Sequence, residues 1–227
     1  AQALGLSNYS ILVSQVCVPP AMHAILGSPQ NRVQGFLAAG HVCAVMGTEE
    51  YDPIAAQYHV PIVVTGFEPL DLAQGILMTV EQLKAGKAGV GNAYTRVVTR
   101  EGNRPAQALL KKIFEPVDRN WRGIGPIPDS AYVLKPAFAA HDSRVQLPSY
   151  TEMARKRAGQ MPPGCDCAKV VLGKIYPNEC RLYGLACTPR QPVGPCMVSD
   201  EGACRIWWAN GVRENVWAGR KASGAEA

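Results

Sequence analysis

Six of the eight cysteines fall between positions 165 and 204, as Cys165, Cys167, Cys180, Cys187, Cys196 and Cys204. Thiols grouped this closely hold a metal or exchange electrons more often than they merely pack. The intervening lengths are one, twelve, six, eight and seven residues, without the paired CxxC knuckles of a structural zinc site. Four thiolates from scattered loops can instead ligate an iron–sulfur cluster, and six would leave a pair beside it; spacing alone does not choose which four. Seven positions separate Cys180 from Cys187, roughly 10.5 Å of rise in an unbroken helix, so a break at Gly184 is expected between them. Cys204 follows Ser199-Asp200-Glu201, which reads as the N-cap and acidic first turn of a helix stopped by Asn210-Gly211. That reading puts its sulfur near a helix N-terminus, where thiolate is favoured.

Outside this segment the residues able to do chemistry are His41, Glu68 and Asp71, each at the end of a short apolar run. Ligands of open α/β sheets sit beyond the carboxyl ends of the strands. This singles out the loops Gly40-His41 and Gly66-Phe67-Glu68-Pro69, of which only the second has the favoured polarity. Each residue also has a plainer reading, His41 as a core-edge histidine bonded to a carbonyl and the two acids as helix-start charges favoured by the macrodipole. His23, His59 and His141 read as surface or packing residues. Cys17 and Cys43, set in apolar runs, read as buried, inert thiols.

The elements that must position these groups alternate. Tyr9 to Val18 reads as a buried strand stopped by Pro19 and Pro20, and Ala21 to Leu26 as the start of a helix. His41 to Gly47 reads as a short strand, Glu50 to Tyr58 as a helix, and Pro61 to Gly66 as a strand dense in β-branched residues. Pro69 to Lys84 carries Leu70, Ala73, Ile76, Leu77, Val80 and Leu83 on one helical face, opened by Pro69 and Asp71 and ended by Gly86. Pro105 to Glu115 predicts a further helix, and the Gly/Pro-rich stretch Arg122 to Pro128 a connector or turn. Such alternation predicts an α/β fold, a parallel Rossmann-like sheet with helices on both faces. The predicted layout is an α/β domain over 1–118, a connector over 119–150 and a small cysteine-rich domain over 151–227, whose repeated prolines call for a staple.

With 227 residues, 47% hydrophobic and 18% charged, the chain is long enough to bury a core in one or two domains. No stretch approaches the roughly 20 apolar residues of a membrane span, and the first ten lack the pattern of a signal peptide. A cytoplasmic protein with reduced thiols is therefore expected, with no membrane partner. The net charge of +5 is dispersed in short groups such as Arg119/Arg122 and Arg155/Lys156/Arg157, so no nucleic-acid partner is expected either. The chain opens without Met, a few residues before a strand-like run, and is expected to be a fragment or a processed product.

The motifs resemble one family. CxC at Cys165 to Cys167, Cys180, CTP at Cys187 to Pro189, GPCMVSDEGAC at Gly194 to Cys204, GHVCAVMG at Gly40 to Gly47 and PIVVTGFEPLD at Pro61 to Asp71 are similar to the HypD-type hydrogenase maturation factors, over about Ser10 to Trp208. The resemblance implies a scaffold, not a stand-alone enzyme. With a small HypC-type chaperone and a HypE-type cyanide donor it assembles the iron centre, with cyanide and carbon monoxide ligands, of nickel–iron hydrogenase, whose large subunit it serves indirectly. By the family pattern a 4Fe-4S cluster in the 151–227 domain is ligated by Cys165, Cys180, Cys187 and Cys204, and Cys167 and Cys196 are the neighbouring redox pair. Glu201 resembles a functional acid of the family, its plainer role being the helix start already given. His41, Glu68 and Asp71 become candidates lining an inter-domain cleft. The family's N-terminal CGGH-type and GPGCPVC-type motifs, with the iron-carrying cysteine, are absent from the sequence. The iron–cyanide group is therefore expected only transiently, and not on this chain alone. Two other classes remain, a stand-alone iron–sulfur thiol redox enzyme and a zinc-stabilised binding module.

Overall fold

The computed structural model describes residues 1–149, 152–153 and 160–218; the basic group Arg155/Lys156/Arg157 lies outside them. The chain divides into two compact units, one of Ala1–His23, Val33–Arg119 and Ile127–Met153, the other of Ala24–Arg32, Asn120–Pro126 and Ala154–Ala227.

The first unit is built on a parallel sheet of β1 (Phe36–Ala39), β2 (Ile62–Thr65) and β3 (Val90–Asn92) in that spatial order. Phe36 pairs with Ile62, Ala39 with Thr65, and Ile62 with Val90. Central β2 buries all four residues, as a strand covered on both faces must, hence its continuous apolar run. The β1 to β2 crossover carries α2 (Gly40–Met46) and α3 (Asp52–Tyr58), and the β2 to β3 crossover carries α4 (Pro69–Lys84). Helix α1 (Val18–Leu26) starts with both prolines in its first turn, where their missing N–H groups cost nothing. Helix α5 is Arg104–Ile113, capped by Asn103, whose side chain accepts from Ala106 N.

Four expectations need correction. Residues 41–46 are helical, and the strand is the preceding Phe36–Ala39; a short apolar run does not by periodicity distinguish a buried strand from a buried helix. Tyr9 to Val18 is no strand but an extended segment touching the rest through the bridges Ile11–Asp142 and Val16–Ala131, with Leu12 and Val16 exposed. Arg122 to Ile124 is a turn as expected, that of a hairpin from β4 (Phe114–Trp121) to β5 (Gly125–Leu134) with Gly123 at φ 75°, but Gly125 to Pro128 are strand and not connector. Finally, α4 turns Leu70, Ile76, Leu77, Val80 and Leu83 outward and buries Asp71 and Gly75. Gly75 packs so closely on Thr65 that a Cβ there would overlap Thr65 Cγ2, so the small side of the helix, not the leucine side, meets the sheet.

The second unit is assembled from short pieces: α7 (Cys167–Val171), the 3-10 turn Pro177–Glu179, α8 (Pro195–Val198) and α9 (Ala203–Ala209), with α6 (Ser143–Gln146) preceding them in the first unit. Its buried core is Cys167, Cys180, Tyr183, Cys187, Cys196, Met197 and Cys204, flanked by Cys165, Trp207 and Trp208 among others. Sulfur takes the place that aliphatic carbon holds in most cores.

Candidate functional site

The CxC pair is placed by the start of α7: Cys165 precedes the helix and Cys167 opens it, their sulfurs 3.3 Å apart. Across from them stands Gly194, the residue before α8. A Cβ there would overlap Cys165 Sγ and lie 2.6 Å from Cys167 Sγ, so the absent side chain is what lets the two loops close around sulfur. Its φ of −102° suits any residue, and glycine is needed for space rather than for conformation.

Cys196, inside α8, meets the sulfurs of both Cys167 and Cys204. Hydrogen bonds from Cys167 first, and then Cys204, pull the Cys196 thiol below its ordinary range. Cys204 is pushed up by its bond to Cys167 first and then by the one to Cys196, and Cys167 rises chiefly through its bond to Cys196. Burial raises Cys165 to about 12. The readier thiolate is thus Cys196, whereas the helix-start reading favoured Cys204. That helix begins later than expected, with Gly202 as N-cap and no acid in its first turn. Exposed Glu201 lies before the helix, its N–H donating to Ser199 Oγ at 3.2 Å, while Asp200 pairs with Arg205 at 3.0 Å.

Cys180 and Cys187 sit on the loop where a break was expected, with Gly184 at φ 71°. Val193 N donates to Cys187 Sγ at 3.4 Å. The loop is pinned by Asn215, which sequence reasoning missed: its buried side chain donates to Cys180 O at 2.8 Å and to Tyr183 O at 2.7 Å, and accepts from Trp217 N at 2.8 Å. No local pattern announces it, because the two carbonyls it holds lie more than thirty residues away.

All eight cysteines are free thiols. As donors, six soft sulfurs in one closed core fit an iron–sulfur group. Among the described residues no three His, Cys, Asp or Glu side chains converge as a grip for a single ion; a cubane cluster spreads its four thiolates more widely than one ion does.

A second constellation stands in the first unit at the carboxyl ends of β1 and β2. Asp71, 5% exposed, receives Arg96 Nη1 on Oδ1 at 2.7 Å and Arg96 Nη2 on Oδ2 at 2.6 Å, and Arg96 Nη2 also lies 3.2 Å from Glu68. The Arg96 guanidinium, with the Glu68 side chain second, lowers the Asp71 carboxyl to about 2. The guanidinium rests on the Tyr94 ring, 4.4 Å from its centroid. Exposed His41, in the first turn of α2, packs its ring on Phe67 at 5.2 Å. Gly40 and Gly66 leave room for this: a Cβ on the first would lie 2.5 Å from Tyr94 Cδ1, and on the second would overlap Asp71 Oδ2. The structure therefore brings His41, Glu68 and Asp71 to one sheet end and adds Arg96 and Tyr94, which had no sequence signal. Neither remaining cysteine joins a cluster. Cys43 is fully buried, 3.7 Å from Tyr51 Oη, and Cys17 is half-buried beside Tyr132. Of the other histidines, His23 contacts Tyr58 Oη at 3.3 Å, His141 the carbonyl of Tyr9 at 3.0 Å, and His59 ends α3 in a left-handed conformation.

The family model described as "HypD: Hydrogenase formation hypA family" matches residues 1–211. The chain is 43% identical over 217 residues to the hydrogenase expression/formation protein HupD of Azotobacter chroococcum mcd 1, covering 93% of this chain and 56% of that protein. Identity to the hydrogenase maturation factor HypD of Azotobacter vinelandii is also 43% over 217 residues, with the same coverage. To the maturation factor HypD of Escherichia coli K12 it is 37% over 210 residues, covering 92% of this chain and 55% of the relative. The chain thus spans little more than half the length of the curated relatives it matches.

Proposed function

The chain belongs to the HypD family of hydrogenase formation proteins, and on that premise we propose that it is the cluster-bearing part of a nickel–iron hydrogenase maturation scaffold. Its partners in this reading are a small HypC-type chaperone and a HypE-type cyanide donor, and the cargo is the iron centre with its cyanide and carbon monoxide ligands. The observation that carries the reading is the sulfur core, in which five of the six clustered thiols are buried together and Gly194 is pared back to admit the sixth.

Cys165, Cys180, Cys187 and Cys204 are the proposed ligands of a 4Fe-4S cluster, which when bound supplies electrons one at a time. Cys167 and Cys196 are the proposed dithiol. In closing to a disulfide they release two electrons and two protons, and reduction returns both. Cys196 is the thiol prepared to ionise, because Cys167 and Cys204 both bond to its sulfur. Tyr183 and Met197, each 1% exposed, wall the sulfurs from water, and exposed Glu201 is the proposed acid for exchanging protons with solvent. His41, Glu68 and Asp71, held by Arg96, form the proposed polar contact set for a maturation partner. No helix among the described residues is long and apolar enough to cross a membrane.

The test is to purify the chain without oxygen, measure iron, zinc and acid-labile sulfide, and record the visible spectrum before and after dithionite. Iron and sulfide in near-equal amounts with a bleachable absorbance support the reading; zinc without sulfide would sink it and leave a structural metal module.

A further inference from the structure

In the first unit, away from both constellations, lie two neighbouring cavities. The smaller, here termed the inner chamber, has about 240 Å³ and is walled by Val18, Val42, Val45 and Tyr51, with Cys17 and Tyr132 in its lining. The larger, the outer chamber, has about 470 Å³ and shares Met46, Glu50, Leu110 and Tyr132 with it. Together they reach the size range of small-molecule sites, which runs from roughly 300 to 1,000 Å³.

The groups facing this space differ in charge and in commitment. Arg104 is engaged by Glu49 and by Gln107, each at 3.2 Å, and Lys111 borders the outer chamber only. Glu50 borders both chambers, and no ion pair to it occurs among the described residues. The hydroxyl of Tyr132 bonds to Cys17 Sγ, and burial before all else keeps both protonated, with Tyr132 raised to about 12. The inner chamber is therefore apolar apart from one carboxylate, Glu50, in its lining. Tyr132 borders both chambers, Tyr51 lines the inner one, and Phe114 lines the outer, tilted at 54° to Tyr132 with centroids 6.0 Å apart.

We propose that this pair of cavities binds an organic ammonium ion with a small apolar body, the body in the inner chamber and the charge between Glu50 and the rings. Aromatic faces attract cations by their quadrupole, and a nearby carboxylate adds to the same attraction. An anionic head in the inner chamber would meet Glu50 and no cation, since Arg104 and Lys111 border only the outer one. A neutral ligand would gain the apolar contacts alone.

Calorimetric titration of the full chain at pH 7 with 2-phenylethylammonium, 2-phenylethanol and 3-phenylpropionate separates these cases. The expected result is saturable binding of the ammonium about tenfold tighter than of the alcohol, a difference of about 1.4 kcal/mol shared between the carboxylate and the rings, and no binding of the propionate. Glu50→Gln should cut the preference at least about threefold while leaving the alcohol's affinity unchanged, and Val42→Trp, which fills the inner chamber, should abolish all binding. Should Val42→Trp fail to fold, the unaltered chain gives an independent reading: the ammonium should slow alkylation of Cys17 by N-ethylmaleimide and the propionate should not. Equal affinity for amine and alcohol, a preference undiminished by Glu50→Gln, or no saturation by the ammonium at 10 mM (about −2.7 kcal/mol,) would overturn the assignment.

Discussion

Replacing Asn215 with alanine tests whether the loop that carries Cys180 and Cys187 is held from outside itself. The amide donates to two carbonyls, at 2.8 and 2.7 Å, from a buried position. Cys180 O keeps a second donor, Tyr183 N at 3.0 Å, so its loss amounts to one ordinary hydrogen bond, about 1 kcal/mol. Tyr183 O has no other donor among the described bonds, and orphaning a buried carbonyl costs about 1–3 kcal/mol. The sum is about 2–4 kcal/mol, a large fraction of the stability of a unit this small. At roughly 4–8 °C per kcal/mol for a domain of this size, the melting temperature should fall by at least about 10 °C. Circular dichroism melts of the anaerobic chain measure this, with iron content followed in parallel. Asn215→Asp is the sharper control: a carboxylate of nearly the same shape turns two donated bonds into repulsion against two carbonyls and should destabilise at least as much at pH 7. A fall below 0.5 kcal/mol for the alanine variant, within the range of ordinary surface substitutions, would refute the idea that Asn215 pins the loop.

Gly194→Ala should lower stability by about 1–3 kcal/mol, as overpacking does, and reduce bound iron, because the new methyl meets Cys165 and Cys167 sulfur in a backbone that otherwise accepts alanine; an unchanged melt with full iron would refute the space argument. Cys187→Ser should lose the cluster while Cys196→Ser keeps it, and loss of iron from the Cys196 variant would overturn the division between ligands and dithiol. Asp71, with its folded carboxyl lowered to about 2 by Arg96 and then Glu68, contributes stability that is fully present above its unfolded value of about 3.9 and is lost as the pH falls toward 2. Melts of the parent and Asp71→Asn should therefore differ at pH 6 and converge near pH 2, and a gap that stays constant with pH would contradict the pairing.

The central strand of the sheet and the helix after it were legible because their signals are local, whereas β1 was misplaced and β3 not foreseen. Ile62 to Thr65 carries an unbroken β-branched run, and α4 announces itself through Pro69, Asp71 and the Gly86 stop. The same locality explains the misses. Residues 41–46 are apolar enough for either a strand or a helix, and only their packing against β1 and β2 decides. The leucine stripe of α4 is a sound amphipathic pattern, yet the side that meets β2 is set by Gly75, whose lack of a side chain permits the closest approach. In the candidate sites the cysteines were conspicuous by count, whereas Arg96 and Asn215 act on partners 25 and more than thirty residues away. Their side chains are unremarkable until the fold brings the partners in.

The sulfur core also bears on how such variants are to be read. A unit whose buried interior is five thiols, one tyrosine and one methionine gains less from apolar burial than an aliphatic core of equal size, even with Ile175, Leu182, Val193, Trp207 and Trp208 packed against it. Its thiols are free donors, and the thiolate is the form that ligates a metal. Both features make folding of this unit sensitive to what its sulfurs bind, because a group that binds only the folded form stabilises it by its binding free energy. Under the proposed cluster, the Asn215 and Gly194 variants should then lose iron and melting temperature together. A variant that loses one without the other would show that ligation and folding are separate properties of this unit.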